Sequence, residues 1–472
     1  DPSGGNPVFT GILATIAPSR GFSDFVTTGN DLAILGNGPN GVDIFDIGSG
    51  VRPVKQSTYN TPGSVRKAAL SENYLVIADG TAGLTVLDLT SLESPSQVWN
   101  IPQESPANAV AVAGKIAFIG LENGKIKSYD LFSGQKIDEV KINYLIEDLA
   151  FSQNTIYALE NSGGRGRSAN SRLNSFPVEQ GRFKNDDGPF LPRRNLLLPG
   201  YRQFGLGNQI GRRLFVGDDF AFVTDLMGFN RIDLRDPQNP TRKETHKTAS
   251  RGWRHMVSNG SGLAISVEHR FSPRYARGKD GGPSIYTVQN NGDFLRAGGY
   301  MENFETRFPT PGNAGAVSIY NGLAYVADGT KGLQVVNYRA YDINGIKPTL
   351  SVTLNDMNGT VEEAKLLTLR AFVQDDIQVK NVDFFVDGEK VFVDGGYPFA
   401  HTLEVPLRKD QATLRLRVIA RDTGGNEAYW PGPGASNEYT LTIADDLVPP
   451  QVVTYFPREN STVLPGETVV AV

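Results

Sequence analysis

Cysteine is absent from all 472 residues. Its absence excludes a disulfide framework, thiolate metal sites and thiol nucleophiles, and it is compatible with an exported protein that avoids unpaired thiols. Histidine occurs only four times, as His246, His255, His269 and His401, so a multi-histidine metal centre has little to draw on. No HExxH pattern, P-loop, dinucleotide glycine fingerprint after a strand or nucleophile elbow is present. No apolar stretch reaches membrane-spanning length, and the alternating run at 107–121 is broken by Lys115, so membrane insertion is not expected. Charge of one sign is lacking too. With 46 Lys and Arg against 51 Asp and Glu, the net charge of −5 is too small to argue for nucleic acid. A chain of this length suggests two or three domains. Asp1 is not an initiator methionine and nothing resembles a signal peptide, so Asp1 is read as a processing boundary.

What the chain does have is a repeated phrase. Residues 74–89 read YLVIADGTAGLTVLDL and residues 323–338 read LAYVADGTKGLQVVNY, with a weaker copy, LAILGNGPNGVDIFDI, at 32–47. Each copy is an alternating apolar run, an Asp-Gly or Asn-Gly turn, a further Gly and a second alternating run, which is the pattern of a β-hairpin. The turn position falls on Asn37, Asp79, Gly120, Glu160, Asp225, Glu268 and Asp328, separated by 42, 41, 40, 65, 43 and 60 residues. Four of these spacings suit one four-stranded propeller blade and two carry insertions, so seven units predict a seven-bladed β-propeller. The opening ILATIAPSRGFSDFVTT (12–28) fits the outer-strand, bend, inner-strand template of VKQSTYNTPGSVRKAAL (54–70). Residues 8–17 are therefore expected to supply the outer strand that the seventh hairpin lacks, closing the ring and removing two free edges.

Runs such as LVIAD (75–79) and AYVAD (324–328) resemble the LVIVD-repeat family of bacterial propellers. The resemblance covers 8–340 and implies a propeller in a cell-surface or secreted bacterial setting, with no conserved catalytic site. From Lys347 the pattern changes. Alternating runs TLSVTL, LLTLRAFV, VKNVDFFVDGEKVFV, HTLEVPL, TLRLRVIARD and EYTLTI suggest an immunoglobulin-like sandwich of about seven strands. DDIQVKNVDFFVDGEKV and RLRVIARDTGGNEA resemble the middle and late strands of bacterial Ig-like domains. The linker ADDLVPP (444–450) leads to a segment resembling the start of another, which is expected to continue beyond Val472.

Four candidate sites emerge. The insertion at 161–213 holds ten Arg and Lys against three acids, a local +7. It reads either as an anion-binding loop for acidic glycans, lipid head groups or an acidic protein, or as a long loop whose arginines pair locally; Arg193, Arg194, Arg212 and Arg213 are its candidate contacts. A second basic insertion spans 269–284. Aligning the units places Arg66, Glu147, Arg212 and His255 at matching channel positions with Trp253 and Arg254 adjacent, a polar ring that would bind a ligand or hold ordered water. Asp375, Asp376, Asp422, Asp445 and Asp446 are candidate oxygen ligands for Ca²⁺ at a domain junction; no other cofactor is expected.

The expected architecture is all-β: a seven-bladed LVIVD-type propeller over 1–343, a bacterial Ig-like sandwich over 344–446 and a truncated further Ig-like domain over 447–472. The expected function is a non-enzymatic extracellular or cell-surface bacterial binding or adhesion module, the propeller serving as interaction platform on an Ig-like stalk. Its partner would be a protein, an acidic glycan or neighbouring domains of the same large protein. A structural shell or spacer segment of a large secreted toxin or surface assembly is the second reading. A degenerate propeller hydrolase or lyase is the third, and it would need convergent acids and histidines on the channel.

Overall fold

The computed structural model describes residues 9–161, 171–184, 195–198, 213–225, 228–247, 253–268, 282–287, 304–355, 358–434, 437–447, 455–456 and 470–471. Seven antiparallel sheets follow one another along the chain as far as Asn337. Each begins at an inner strand and steps outward through three more. The inner strands are Phe25–Gly29, Lys67–Ser71, Ala107–Ala113, Leu145–Ser152, Arg213–Val216, Trp253–Ser258 and Ala316–Tyr320, which open blades one to seven. Each packs beside the next and the seventh packs beside the first, so the blades form a closed ring. The seven turn markers read from the sequence all fall within one residue of the end of a second strand.

The apolar runs have a physical reason. A second strand is covered on both faces by neighbouring blades, so Leu32–Gly36 and Leu323–Ala327 are buried at every position. The core is correspondingly divided into seven clusters, one between each pair of neighbours. Val76 and Ala78 of blade two, for example, pack on Val110 and Ile119 of blade three.

The aspartate of the repeat serves the backbone. Asp79 accepts hydrogen bonds from the Thr61 hydroxyl (2.8 Å) and the Gly63 N–H (2.9 Å), and Asp328 does the same with Thr310 (2.8 Å) and Gly312 (2.8 Å). Each turn thus clamps the Thr-Pro-Gly bend that carries the chain into its own blade's inner strand. Burial raises both carboxyls above their ordinary value, Asp328 to about 6.

Ring closure follows the expected course. Gly11–Ile16 pairs antiparallel with Leu333–Asn337, Ile16 opposite Leu333 and Gly11 opposite Asn337, with a bulge between Ile12 and Ala14. The Thr15 hydroxyl donates to Gln334 Oε1 (2.6 Å), and an isolated bridge joins Ser23 to Gly329.

Beyond the ring, Thr349–Leu354, Leu366–Gln374 and Phe399–Glu404 form one sheet of a sandwich. The other contains Thr360–Glu362, Val379–Val386, Glu389–Asp394, Thr413–Asp422, Glu427–Trp430 and Tyr439–Ala444. That makes nine strands where about seven were expected; Thr360–Glu362 pairs parallel to Thr442–Ala444, an edge too short to read from alternation. Leu369, Phe384, Leu416 and Ile443 lie in the shared core. Of 448–472, only Tyr455–Phe456 and Val470–Ala471 are described, paired antiparallel.

Deleting residues 1–17 exposes the Leu333–Asn337 edge and uncovers the cluster on which Leu13, Ala14 and Ile16 pack. The truncated chain should melt markedly lower or aggregate, as differential scanning calorimetry and light scattering would show; an unchanged melting temperature would refute the latch. Gly80 and Gly329 adopt φ of 56° and 62°, where a β-branched residue is strained. Gly80→Val and Gly329→Val should each cost about 1–3 kcal/mol, measured by denaturant titration, and silent substitutions would contradict this account of the turn.

Candidate functional site: the propeller channel and its plug

Strand register identifies the residues at one level of the channel. Phe25, Lys67, Ala109, Asp148, Arg213, His255 and Ala316 pair with Gly36, Ala78, Gly120, Leu159, Thr224, Val267 and Ala327, the equivalent positions of the seven second strands. All but Ala109 line a cavity of about 250 Å³. Lys67, in blade two, reaches across to Asp148 of blade four in an ion pair, and its ammonium also donates to the Leu149 carbonyl (2.8 Å). Asp148 Oδ1 accepts in addition from the Leu149 N–H and Oδ2 from the Leu214 N–H, both at 2.9 Å. The carboxylate is buried and both its oxygens are occupied.

The groups that remain are donors. His255 Nδ1 accepts from the Val317 N–H at 3.3 Å, which leaves the proton on Nε2. Burial, together with the Arg213 charge, pushes the imidazole down to about 3, so it is neutral at any physiological pH. The Arg213 guanidinium crosses the channel mouth to the Asp24 carbonyl at 3.4 Å, and among the described residues no carboxylate pairs with it. Arg254 beside it is lowered to about 10, by burial first and then by the Arg213 charge. Arg213 and the His255 Nε2–H face the cavity, in which Asp148 is already saturated and Asp394, at the opposite end, accepts from two backbone N–H groups. Donors so placed can take an anion.

Sequence alignment located this ring one residue out of phase in three blades. The channel carries Lys67 and Asp148 where Arg66 and Glu147 were expected, and a one-residue slip turns a strand side chain to the other face. Arg66 is exposed, and Glu147 accepts from Asn161 Nδ2 (3.0 Å). Arg213 takes the place assigned to Arg212. His255 is placed as expected, because a bulge between Trp253 and His255 restores the phase. Trp253 is buried against Phe229 in the cluster between blades five and six, and the Arg254 carbonyl accepts from the Thr224 hydroxyl at 3.0 Å. Arg193, Arg194, Arg212 and nearly all of the 269–284 insertion lie outside the described residues. The 161–213 stretch is not the single loop expected: Ser171–Glu179, Arg182–Phe183 and Asn195–Leu198 within it are strands of blade four, so only residues 162–170 lie between the paired second- and third-strand ends Asn161 and Ser171, as 269–281 lie between Glu268 and Gly282.

The opposite end of the channel is closed by the sandwich. Asp394, Gly396 and Tyr397, from the turn after Glu389–Asp394, line the same cavity. The Tyr397 hydroxyl accepts from the Asp218 N–H (3.0 Å), and its ring lies parallel to Phe220. The Asn321 N–H donates to the Gly395 carbonyl (3.0 Å) and the Val379 N–H to the Ser261 hydroxyl (3.3 Å). Arg370 pairs with Asp218 at 2.8 Å, and Lys115 pairs with Glu404. Asp218, Asn321, Ser261 and Lys115 all sit at turns between first and second strands. The sandwich therefore covers that face, and none of its described residues reaches the face of the second-to-third-strand hairpins, called here the open face. Sequence reading did not find the plug, since Tyr397 and Arg370 follow no repeat.

Of the candidate calcium ligands, Asp375 and Asp376 come together, and Asp342 joins them. Asp422 is occupied by Asn426, Asp445 pairs with Arg408, and the Asp446 N–H donates to Glu363 (3.3 Å). His401 is buried beside Phe392 in the sandwich, away from the channel.

Comparison with known proteins agrees with this architecture. Residues 62–100 and 311–337 match the LVIVD repeat, and residues 348–443 match the bacterial Ig domain. The chain carries LVIVD repeats and a bacterial Ig domain. Both LVIVD matches contain the Asp-Gly turn and the glycine it holds, Asp79 with Gly63 and Asp328 with Gly312. No curated protein matches the chain. Among solved structures, it is similar to the computationally designed Ika8 protein (12% identity, 69% of this chain and 99% of that one, TM-score 0.47). It is also similar to a chain of the mitotic checkpoint complex (10%, 71% and 96%, TM-score 0.48) and to BamB from Moraxella catarrhalis (15%, 65% and 81%, TM-score 0.41). The propeller assignment rests on the sheet topology.

Asp394 gives the plug a pH dependence. Burial raises its carboxyl from 3.8 to about 7, against hydrogen bonds from the Ala400 N–H (3.0 Å) and the Gly396 N–H (3.1 Å). A folded-state value above the unfolded one means that the folded chain holds the extra proton. Its contribution to stability is present at low pH and is lost as pH rises from about 4 through 7. Urea unfolding at about pH 5 and pH 8 should show Asp394→Asn losing this part of the slope; equal slopes in variant and wild type would refute the assignment.

Proposed function

We propose that the chain is a non-enzymatic binding module of an extracellular or cell-surface bacterial protein, taking an acidic group of a protein or glycan at the open face of the propeller. The observation that carries this reading is a channel shut at one end by the Ig domain and presenting at the other Arg213, which pairs with no carboxylate among the described residues, and the His255 Nε2–H. The second-to-third-strand connections between Asn161 and Ser171, with Arg165 and Arg167 in its sequence, and between Glu268 and Gly282, also basic, are rooted on that same face and would add to its attraction for anions. The bacterial Ig domain and the lack of cysteine support an exported setting. Among the described residues no helix is long and apolar enough to cross a membrane.

Absence of turnover is part of the same proposal. Asp148 is held by Lys67 and two backbone N–H groups, and His255 Nδ1 is engaged by a backbone N–H rather than a carboxylate. Neither is set up as a general base. A spacer role in a larger secreted assembly has its own support, because the docked Ig domain makes propeller and sandwich one unit with a fixed orientation.

The test is binding of the whole chain to a panel of uronate-, sialate- and sulfate-bearing glycans and acidic peptides, at about 50 and 500 mM NaCl. At least one class should bind more weakly at high salt. Arg213→Gln, and separately Arg193→Ser with Arg194→Ser and Arg212→Ser, should weaken it roughly tenfold, with circular dichroism unchanged. If no acidic ligand binds, or if binding is indifferent to every one of these arginines, the spacer reading takes its place.

A further inference from the structure

Where the propeller hands over to the sandwich, three carboxylates converge without a counter-ion. Asp342 lies five residues past the last propeller strand, Leu333–Asn337, and Asp375 and Asp376 directly follow the sandwich strand Leu366–Gln374. One oxygen from each lies within 4.8 Å of the other two. No lysine or arginine among the described residues pairs with any of them. An acidic cluster alone would be unremarkable, but here one member is locked inside. Asp342 is only 5% exposed, and its Oδ2 is buried with no hydrogen-bond partner, while Oδ1 accepts from the Asn344 N–H (2.6 Å). Asp375 Oδ1 is likewise buried without a partner, although Oδ2 accepts from the Ile377 and Gln378 N–H groups (3.0 and 2.6 Å). Gln378, 1% exposed, has both side-chain amide atoms unpartnered next to this loop.

Buried carboxylate oxygens without donors are strongly disfavoured, and like charges at this separation make each other worse. A hard divalent cation removes both penalties. We propose that Asp342, Asp375 and Asp376 bind a calcium ion that fastens the exit of the propeller to the Ig domain. Calcium takes six to eight oxygen ligands at about 2.3–2.6 Å in flexible geometry, and three carboxylate oxygens within 4.8 Å of one another can share one such ion. Magnesium demands a near-ideal octahedron at about 2.0–2.1 Å and keeps several of its waters, which an irregular set of three carboxylates serves less well. Asn344 Nδ2 donates to Asp376 Oδ2 at 2.7 Å and orders that carboxylate at the rim, and the exposed side of Asp376 leaves room for water. With three carboxylates and an open rim, affinity should lie in the range of extracellular modules, a dissociation constant of about 10⁻⁴–10⁻³ M.

The site is independent of the anion-binding reading and has its own test. The whole chain, stripped with EDTA and dialysed, is titrated with CaCl₂ by calorimetry and its melting temperature followed with and without 10 mM CaCl₂. One site and a rise in melting temperature are expected. Asp376→Asn, a change on the surface that leaves the fold alone, should weaken calcium binding at least tenfold, as should Asp342→Asn. Asp445→Asn with Asp446→Asn should leave it unchanged. The proposal is overturned if the wild type shows neither heat nor a melting shift at 10 mM CaCl₂. It is equally overturned if Asp376→Asn and Asp342→Asn bind as the wild type does, or if MgCl₂ binds as tightly.

Discussion

The rest of the molecule depends on the ladder between Gly11–Ile16 and Leu333–Asn337. A propeller has no central core: its apolar side chains are shared among seven clusters, each completed only when two blades stay in contact. Blades one to six are secured to a successor by chain connectivity. Blade seven meets blade one only through non-local contacts, and its third strand would otherwise present a free edge. Supplying the last strand from the start of the chain converts that weakest contact into a hydrogen-bonded ladder with Leu13, Ala14 and Ile16 packed beneath it. The channel inherits its geometry from this closure. Lys67 meets Asp148, and Arg213 reaches Asp24, only because blades distant in sequence are held at fixed angles around one axis.

The sandwich acts on the same ring from outside. A propeller channel open at both ends is a solvent tube in which a lysine, an arginine and an imidazole are fully hydrated and screened. With Tyr397 and Gly396 seated over one end, hydration is restricted to the other, and the field of the two cations is directed that way. The low value imposed on His255 has the same origin: an imidazole surrounded by protein and facing Arg213 stays neutral, acting as a hydrogen-bond donor rather than a titrating base.

Local regularity decided what was legible in the sequence. Seven hairpins were readable because Asp79-Gly80 and Asp328-Gly329 sit between alternating runs, and the positive φ at both glycines is a backbone demand with few chemical solutions. The strand Gly11–Ile16 was readable because 12–28 repeats the outer-to-inner template. The ring was legible to within one residue and no better. Register along the inner strands is altered by bulges at Ala107/Ala109, Ile146/Asp148 and Trp253/His255, which leave no mark in the pattern and yet determine which residue faces the axis. Inter-domain contacts were not legible at all. Tyr397, Arg370 and Asp342 are single residues whose roles come from surfaces brought together by folding, and a repeat-based reading has no handle on them.

Charge is segregated along the channel axis, and that segregation gives the molecule a direction. The chain as a whole is slightly acidic, yet Arg213 stands at the channel mouth with no carboxylate partner among the described residues and the sequence over 161–213 carries +7, while Asp342, Asp375 and Asp376 converge where the propeller meets the Ig domain. At physiological ionic strength the Debye length is about 8 Å, far shorter than the molecule, so the two ends are felt separately by an approaching partner. On the binding reading proposed above, an acidic ligand would be drawn to the mouth, which would favour one docking orientation before any specific contact forms. The Ig domain, holding the closed end, then points away from whatever the open face engages. A domain string continuing from the Ig side would leave that face unobstructed, and the short tether from Asn337 to Asp342 keeps the orientation from being lost to a flexible hinge.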